Sequence, residues 1–165
     1  MHPAQRPTAD LLEDCDIRFS RKGGPGGQHR NKVETAVVIH HRPTGVTGDA
    51  NERRSQKDNR AVAAFRLRVN LALAVRRPLT RAKPSDLWQT RCTRGRVVIN
   101  PTHDDFPALL AEALDALAAC NDDLAEAATF LGCSTSQLVK LLKIEPRAIA
   151  CLNDRRRERG EHAIR

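Results

Sequence analysis

Residues 21–32 read RKGGPGGQHRNK, and the rest of the chain can be analysed outward from this segment. Four glycines fall within five positions and are separated only by Pro25, which excludes the interior of a helix or a strand. Glycine is used where φ must be positive or where a backbone approaches a ligand closely. The glycines present Gln28 at the tip of a loop, and cations flank them on both sides. This pattern predicts a loop that enters a polyanionic site.

The common glycine-rich phosphate motifs do not fit this loop. A Walker loop ends in Gly-Lys-Ser/Thr, whereas Gln28 follows Gly27 here. A dinucleotide-binding fingerprint requires a glycine at the position that His29 occupies. A flexible linker is usually rich in serine and featureless, whereas this segment continues directly into patterned sequence. A ligand-contacting loop is therefore favoured over a linker.

Residues on both sides of the loop extend the pattern into a longer motif. In chain order they are Arg18, Ser20, Gly24-Pro25-Gly26-Gly27-Gln28-His29, Asn31-Lys32, Ala36-Val37, Pro43-Thr44-Gly45-Val46, Glu52-Arg53, Ser55-Gln56 and Asn59-Arg60. Together they resemble the Gly-Gly-Gln domain of peptide chain release factors, over about residues 15–77. Arg30 departs from the family, which usually has valine there, and adds charge beside the loop.

The resemblance implies hydrolysis of the peptidyl-tRNA ester in the peptidyl transferase centre of the large ribosomal subunit. The implied catalytic residues are Gly26, Gly27 and Gln28. The glycines would aim the backbone N–H of Gln28 at the developing oxyanion, and the Gln28 side chain would position water. This mechanism needs no cofactor, no metal and no nucleophilic side chain.

The charge of the chain favours a nucleic-acid partner. Lys and Arg total 28 against 20 Asp and Glu, which gives a net charge of +8 and a pI of about 9.8. Because there is one Trp and no Tyr, phosphate contact is expected to dominate over base stacking. With the resemblance, the residues predicted to contact RNA are Arg18, Arg21, Lys22, Arg30, Asn31, Lys32, Arg53, Arg54, Ser55, Gln56, Lys57, Asn59 and Arg60.

Residues 1–100 are predicted to form an α+β domain, with a small mixed sheet packed on a long helix. Polar–apolar alternation predicts a strand at 16–19, β-branched and apolar residues predict another at 35–40, and Pro43-Thr44-Gly45 predicts the turn of a hairpin. The helix spans about 55–76, with Ser55 as N-cap. Arg96–Asn100 is predicted to extend the sheet, and Trp88 to anchor the basic, proline-containing connector on the core.

Residues 101–165 are predicted to form a helical domain with a short basic tail. An amphipathic helix is expected at 107–119, followed by helices at 122–131, capped by Asn121, and at 137–143, and by one opened by Pro146. The second and third helices match a helix-turn-helix, with Gly132 in the turn. Its possible contact residues are Ser136, Gln137, Lys140 and Lys143. A structural bundle, or one that docks on RNA or ribosomal protein, is the other interpretation.

The remaining features predict a monomeric cytoplasmic protein, and the resemblance implies that it binds the ribosome, through large-subunit rRNA, and peptidyl-tRNA. The five cysteines form no Cys-x-x-Cys pair, which indicates neither a zinc site nor a disulfide framework. His40 and His41 are adjacent in a predicted strand and face opposite ways, so no metal site is expected. No secretory signal or membrane-spanning segment is indicated.

Fewer than twenty residues precede the resemblance, and no stop-codon-reading domain is expected there. The sequence therefore favours codon-independent rescue of stalled ribosomes. The alternative is a non-catalytic protein: either a ribosome or RNA binder, or a nucleic-acid-binding regulator that uses the helix-turn-helix.

Overall fold

The computed structural model describes residues 1–21 and 35–164. Its main sheet consists of β1 (Cys15–Ser20), β2 (Ala36–His41) and β3 (Thr47–Ala50), with β2 in the centre. The predicted strands are confirmed. However, the strand pairs in the described ranges are all antiparallel, so they do not form the predicted mixed sheet. Neighbouring strands in the main sheet are consecutive in the chain, and a short turn returns β2 into β3 antiparallel.

The long helix α2 (Gln56–Ala74) covers the inner face of this sheet. The Ser55 hydroxyl accepts from the backbone N–H of Asp58, as the predicted N-cap should. Leu67 and Leu71 are fully buried, whereas Ala61 near the start of the helix is exposed. The helix and its cap are therefore confirmed.

The segment before the sheet supports α2 from the other side. A 3-10 turn at Pro3–Gln5 packs on α2, and α1 (Thr8–Glu13) leads into β1. The Arg68 guanidinium, only 4% exposed, donates to the carbonyl of Ala4 at 3.2 and 3.3 Å. This contact fixes the N-terminal turn to the middle of α2.

The connector after α2 ends in α3 (Asp86–Arg91) and a small hairpin of β4 (Cys92–Thr93) and β5 (Arg96–Val97). The prediction that Arg96–Asn100 extends the main sheet is wrong, because β5 pairs only with β4 among the described strands. Trp88 is buried, and its indole N–H donates to the Leu131 carbonyl at 2.7 Å. The predicted anchoring of the connector by Trp88 is thereby confirmed.

Helix α4 (Phe106–Ala119) is the central helix of the C-terminal half and packs on α2, α5 and α6. It was predicted to be amphipathic, but residues 106–117 are buried on all sides. Its acidic residues Glu112 and Asp115 are each 6% exposed and face the connector. The polar face expected from the sequence is therefore an internal contact surface.

The last helices are α5 (Leu124–Leu131), α6 (Thr135–Lys143) and α7 (Pro146–Glu158). Gly132 ends α5 in a left-handed conformation, with φ of 65°. Pro146 opens α7 as predicted.

One predicted cap in this region is wrong. Asn121 does not cap α5; it and Asp122 have positive φ, and the Asp123 carboxylate accepts from the backbone N–H groups of Ala125 and Glu126. The helix therefore begins two residues later than predicted.

The predicted α+β class, followed by a helical region, is confirmed. Buried side chains from both predicted domains, such as Leu67, Trp88 and Leu114, belong to one hydrophobic cluster. The division at residue 100 stays a prediction. Within residues 1–21 and 35–164, no helix combines the length and apolarity needed to cross a membrane.

Candidate nucleic-acid interface

The predicted catalytic residues Gly26, Gly27 and Gln28 lie outside the described residues, as do Lys22, Arg30, Asn31 and Lys32. Strand pairing joins the described residues on either side of them. Ser20, at the end of β1, pairs with Ala36, at the start of β2. The segment that carries the motif is thus attached at both ends to one end of the sheet.

Asn59 joins this end of the sheet to the start of α2. Its side chain is fully buried, and its amide donates to the Thr35 carbonyl at 2.6 Å and to the Arg53 carbonyl at 3.0 Å. Its oxygen accepts from the Arg53 N–H at 2.9 Å. The structure therefore gives Asn59 an internal role, and this member of the predicted RNA-binding set presents no surface for contact.

The cations around the start of α2 are exposed. Arg53, Arg54, Lys57 and Arg60 form no ion pair within the described parts of the chain. They surround a helix N-terminus, whose partial positive charge adds to theirs. Such a surface attracts phosphate.

The other described members of the predicted RNA-binding set lie close by in the fold or along the chain. Arg18 is exposed on β1, Arg21 is exposed just beyond that strand, and Gln56 is exposed in the first turn of α2. Ser55 is half-buried, with its hydroxyl engaged as the helix cap.

Glu52, one of the two carboxylates that neighbour these cations in sequence, is engaged elsewhere; the other, Asp58, is exposed in the first turn of α2. The Glu52 side chain accepts from the Asn51 N–H at 2.9 Å and pairs with the Arg66 guanidinium at 2.6 Å. The backbone hydrogen bonds, and then Arg66, hold the pKa of Glu52 below its usual range. Glu52 is therefore directed at Arg66 and does not offset the charge of Arg53 and Arg54.

A second exposed set lies on α6. Ser136, Lys140 and Lys143 are exposed, while Leu138 and Leu141 are buried, as the helix-turn-helix pattern predicts. Gln137 is only half-exposed. The spacing of four and then three residues places the three exposed side chains on one face of the helix.

The sequence analysis missed the cationic hairpin beside this helix. Arg94 and Arg96 lie at the β4–β5 turn and are exposed. The only local signal was Gly95, because the strands are too short for alternation to show.

The two adjacent histidines of β2 have different surroundings. His41 is buried and contacts the Thr44 hydroxyl at 2.7 Å, and burial lowers the pKa of its imidazole. His40 lies next to it on the opposite face of β2, 3.9 Å from Asp16. Within the described residues, no group of three or more His, Cys, Asp or Glu side chains is arranged to hold a metal ion.

Comparisons with known proteins agree with the motif. The family model of the RF-1 domain matches residues 11–97. The chain is 56% identical over 59 residues to the chloroplastic peptide chain release factor PrfB1 of Arabidopsis thaliana, covering 36% of this chain and 13% of that protein. It is 49% identical over 59 residues to peptide chain release factor 1 of Caldicellulosiruptor saccharolyticus, covering 36% of this chain and 17% of that one.

A third relative extends the match slightly. Peptide chain release factor 1 of Akkermansia muciniphila is 49% identical over 65 residues, which is 39% of this chain and 18% of that protein. The matched region thus spans less than a fifth of each of these relatives.

Proposed function

Because the chain belongs to the RF-1 domain family of peptide chain release factors, we propose that it hydrolyses the peptidyl-tRNA ester on the ribosome. The catalytic residues of this proposal are Gly26, Gly27 and Gln28. Water attacks the ester carbonyl, the C–O bond to the tRNA ribose breaks, and the peptide leaves as a carboxylic acid. The Gln28 N–H would stabilise the oxyanion that develops on the carbonyl oxygen.

The anchoring of the 22–34 segment supports this proposal most directly. Ser20 and Ala36 are paired at the end of the sheet, and Asn59 binds the Thr35 carbonyl from the first turns of α2. The described chain that flanks residues 22–34 is therefore held next to Arg53, which is exposed and, like Arg54, forms no ion pair among the described residues. Phosphate contacts of these cations would orient the protein on ribosomal RNA and leave the chemistry to the segment between them.

We further propose that release does not require a stop codon, so that the protein rescues stalled ribosomes in the cytoplasm as a monomer. The helical region after residue 100 supports this, because the exposed cations Lys140 and Lys143 on α6 offer contacts to RNA. Such contacts would supply affinity without codon reading.

The decisive experiment is single-turnover release of labelled peptide from purified stalled ribosomes at saturating protein. Gln28→Pro removes the backbone N–H and should abolish release. Gly27→Ala restricts the backbone that aims this N–H and should slow release about 10²–10³-fold. Gln28→Ala keeps the backbone N–H and should slow release less than Gly27→Ala does. Ribosome co-sedimentation of each variant controls for binding, which all three should retain.

Each part of the proposal has its own contrary result. Release by Gln28→Pro at the wild-type rate would refute the backbone-donor mechanism. Release from ribosomes with a stop codon in the A site, and not from those with a sense codon or an empty site, would refute codon independence alone. Ribosome binding by the wild type without any release would favour a non-catalytic binding protein.

A further inference from the structure

The β4–β5 hairpin is attached to the turn between α5 and α6. Two hydrogen bonds make the attachment, from Cys92 Sγ–H to the Gly132 carbonyl at 3.5 Å and from Ser134 N–H to the Gly95 carbonyl at 3.3 Å; beside them, Trp88 Nε1–H of α3 donates to the Leu131 carbonyl at 2.7 Å. Together these bonds engage three of the four residues that lead from α5 into α6. The hairpin is therefore fixed beside the first turn of α6.

The turn of the hairpin holds its cations in a defined place. Arg94 has φ of 51° and Gly95 φ of 75°, so both central residues are left-handed. Two such residues in succession match the two-residue hairpin turn whose twist suits the flanking strands. The Thr93–Arg96 pair closes the hairpin. Arg94 and Arg96 are consequently exposed on a short, hydrogen-bonded turn that adjoins α6.

The exposed face of α6 continues the cationic surface from the hairpin. Ser136 lies in the first turn, and Lys140 and Lys143 follow one and two turns later, while Leu138 and Leu142 on the opposite side are fully buried. At 1.5 Å per residue, the surface from Ser134 to Lys143 is about 14 Å long. None of the exposed residues of the hairpin or of α6 is aromatic.

The cations of this surface are unpaired among the described residues. Arg94, Arg96, Lys140 and Lys143 form no ion pair in the part of the chain that the structure describes. Nearby carboxylates are already engaged. Asp123 accepts from the N-terminal amides of α5, and Glu145 pairs with Arg147 at 2.7 Å. Four like charges kept on one surface repel one another, and binding to a polyanion removes that cost.

We infer that the hairpin and α6 together form a docking surface for the sugar–phosphate backbone of double-stranded RNA. That these phosphates belong to RNA is an inference that rests on the proposed function. The absence of exposed aromatic residues on the hairpin and α6 argues against a platform for single-stranded bases. Lys, Arg and Ser side chains are suited to phosphate oxygens. Because the major groove of A-form RNA is too narrow for a helix, α6 contacts the backbone and reads no sequence.

Fluorescence anisotropy with a labelled RNA duplex of about 20 base pairs tests this inference on the full chain. The variants are Arg94→Gln/Arg96→Gln in the hairpin and Lys140→Gln/Lys143→Gln in α6. The matched control is Arg81→Gln/Lys83→Gln, which removes two exposed, unpaired cations from the connector. Each surface pair should raise Kd about tenfold or more at low salt and reduce the salt slope by about two. The control should change Kd less than about threefold.

A fourth variant adds charge without removing any cation. Ser136→Glu places a negative charge between the hairpin and Lys140, and it should weaken duplex binding while the net positive charge of the chain stays high. Thermal unfolding followed by circular dichroism verifies that each variant is folded; the altered side chains are exposed, so melting should change little.

Three results would overturn the inference. The first is a wild type that does not bind the RNA duplex at all. The second is a control pair of substitutions that weakens duplex binding as much as the surface pairs do. The third is a wild type that binds duplex DNA more tightly than RNA and with sequence selectivity. The last result would instead support a DNA-binding regulator. The duplex assay involves no peptide release, so a wild-type chain that binds RNA through these residues but releases no peptide would refute the proposed function alone.

Discussion

The side-chain amide of Asn59 donates a hydrogen bond of 2.6 Å to the backbone carbonyl of Thr35. The same side chain binds both the N–H and the carbonyl of Arg53, at 2.9 and 3.0 Å. One buried residue of α2 thus holds the start of β2 and the loop before α2 together. Thr35 is the first described residue after the 22–34 segment, so Asn59 determines how the exposed cations lie relative to the end of that segment.

Asn59→Ala should lower the free energy of unfolding by about 2–4 kcal/mol, because it leaves several backbone groups without a partner. Asn70→Ala is the matched control. Asn70 lies on the same helix, donates to the Thr47 carbonyl at 2.7 Å and accepts from the Arg147 guanidinium at 2.9 Å, but it is half-exposed, so water can replace both bonds. Asn70→Ala should lower the free energy of unfolding by less than about 1 kcal/mol. Urea denaturation measures both, and equal losses would contradict the anchoring role.

Gly48 allows β3 to approach α2 closely. A Cβ at this position would lie 2.4 Å from the Leu67 backbone nitrogen and 2.5 Å from the Ala63 carbonyl oxygen. Both atoms belong to the backbone of α2 and cannot move aside without shifting the helix. Gly48→Ala should therefore lower the free energy of unfolding by about 3 kcal/mol.

Thermal denaturation checks this prediction, with an expected fall in Tm of about 6–12 °C. Gly45→Asn is the control, because Gly45 has φ of 72° and open space around it, and asparagine tolerates that conformation. The control should melt close to the wild type. A Gly48→Ala protein that melts like the control would show that β3 and α2 can separate without cost.

Elements with local signals were predictable from the sequence. The strand before the glycine-rich segment follows from alternation and the one after it from β-branched apolar residues, and Ser55 marks the start of α2 because a hydroxyl satisfies a free backbone N–H there. Gly132 and Pro146 likewise mark an end and a start that the structure retains.

Features that depend on distant parts of the chain were not predictable in this way. Glu112 and Asp115 suggest a solvent-exposed face of α4, yet they accept from the backbone N–H groups of Ser85, at 2.6 Å, and Arg77, at 2.9 Å. Asn59 resembles an exposed residue of a basic segment until its backbone partners are seen. No spacing within the sequence indicates these contacts, because each joins segments that are far apart in the chain.

Residues 1–100 should not unfold cooperatively when the rest of the chain is removed. In the whole protein, α4 packs on α2, and Asp104 pairs at 2.6 Å with Arg68, which is almost fully buried. Truncation would expose apolar surface of α2 and leave Arg68 without its carboxylate. Circular dichroism melting of the fragment is the measurement, and adding the 101–165 fragment should restore cooperative melting.

The opposite result has a clear meaning. If residues 1–100 melt cooperatively near the temperature of the full chain, the change of composition after Pro101 marks two independently stable domains. The hydrophobic cluster shared by the two parts would then contribute little to the stability of the first.

Stability should depend on pH through Asp115. Burial raises the pKa of its carboxyl to about 6, and the Arg77 N–H and the Arg76 guanidinium only partly oppose this. Because the pKa is higher in the folded protein, ionisation favours unfolding. The stabilising contribution of the protonated form is complete below about pH 4 and is lost as pH rises to about 6. Asp115→Asn keeps an oxygen for the Arg77 N–H and cannot ionise.

The free energy of unfolding of Asp115→Asn, relative to the wild type, should therefore rise by about 1–3 kcal/mol between pH 4 and pH 7. His2 acts in the opposite sense, because burial lowers the pKa of its imidazole to about 4 and its protonation destabilises the fold as pH falls from 6.5. Since both proteins contain His2, its effect cancels in the difference. Urea denaturation across this pH series gives the values, and a difference that stays constant with pH would show that Asp115 titrates normally in the folded protein.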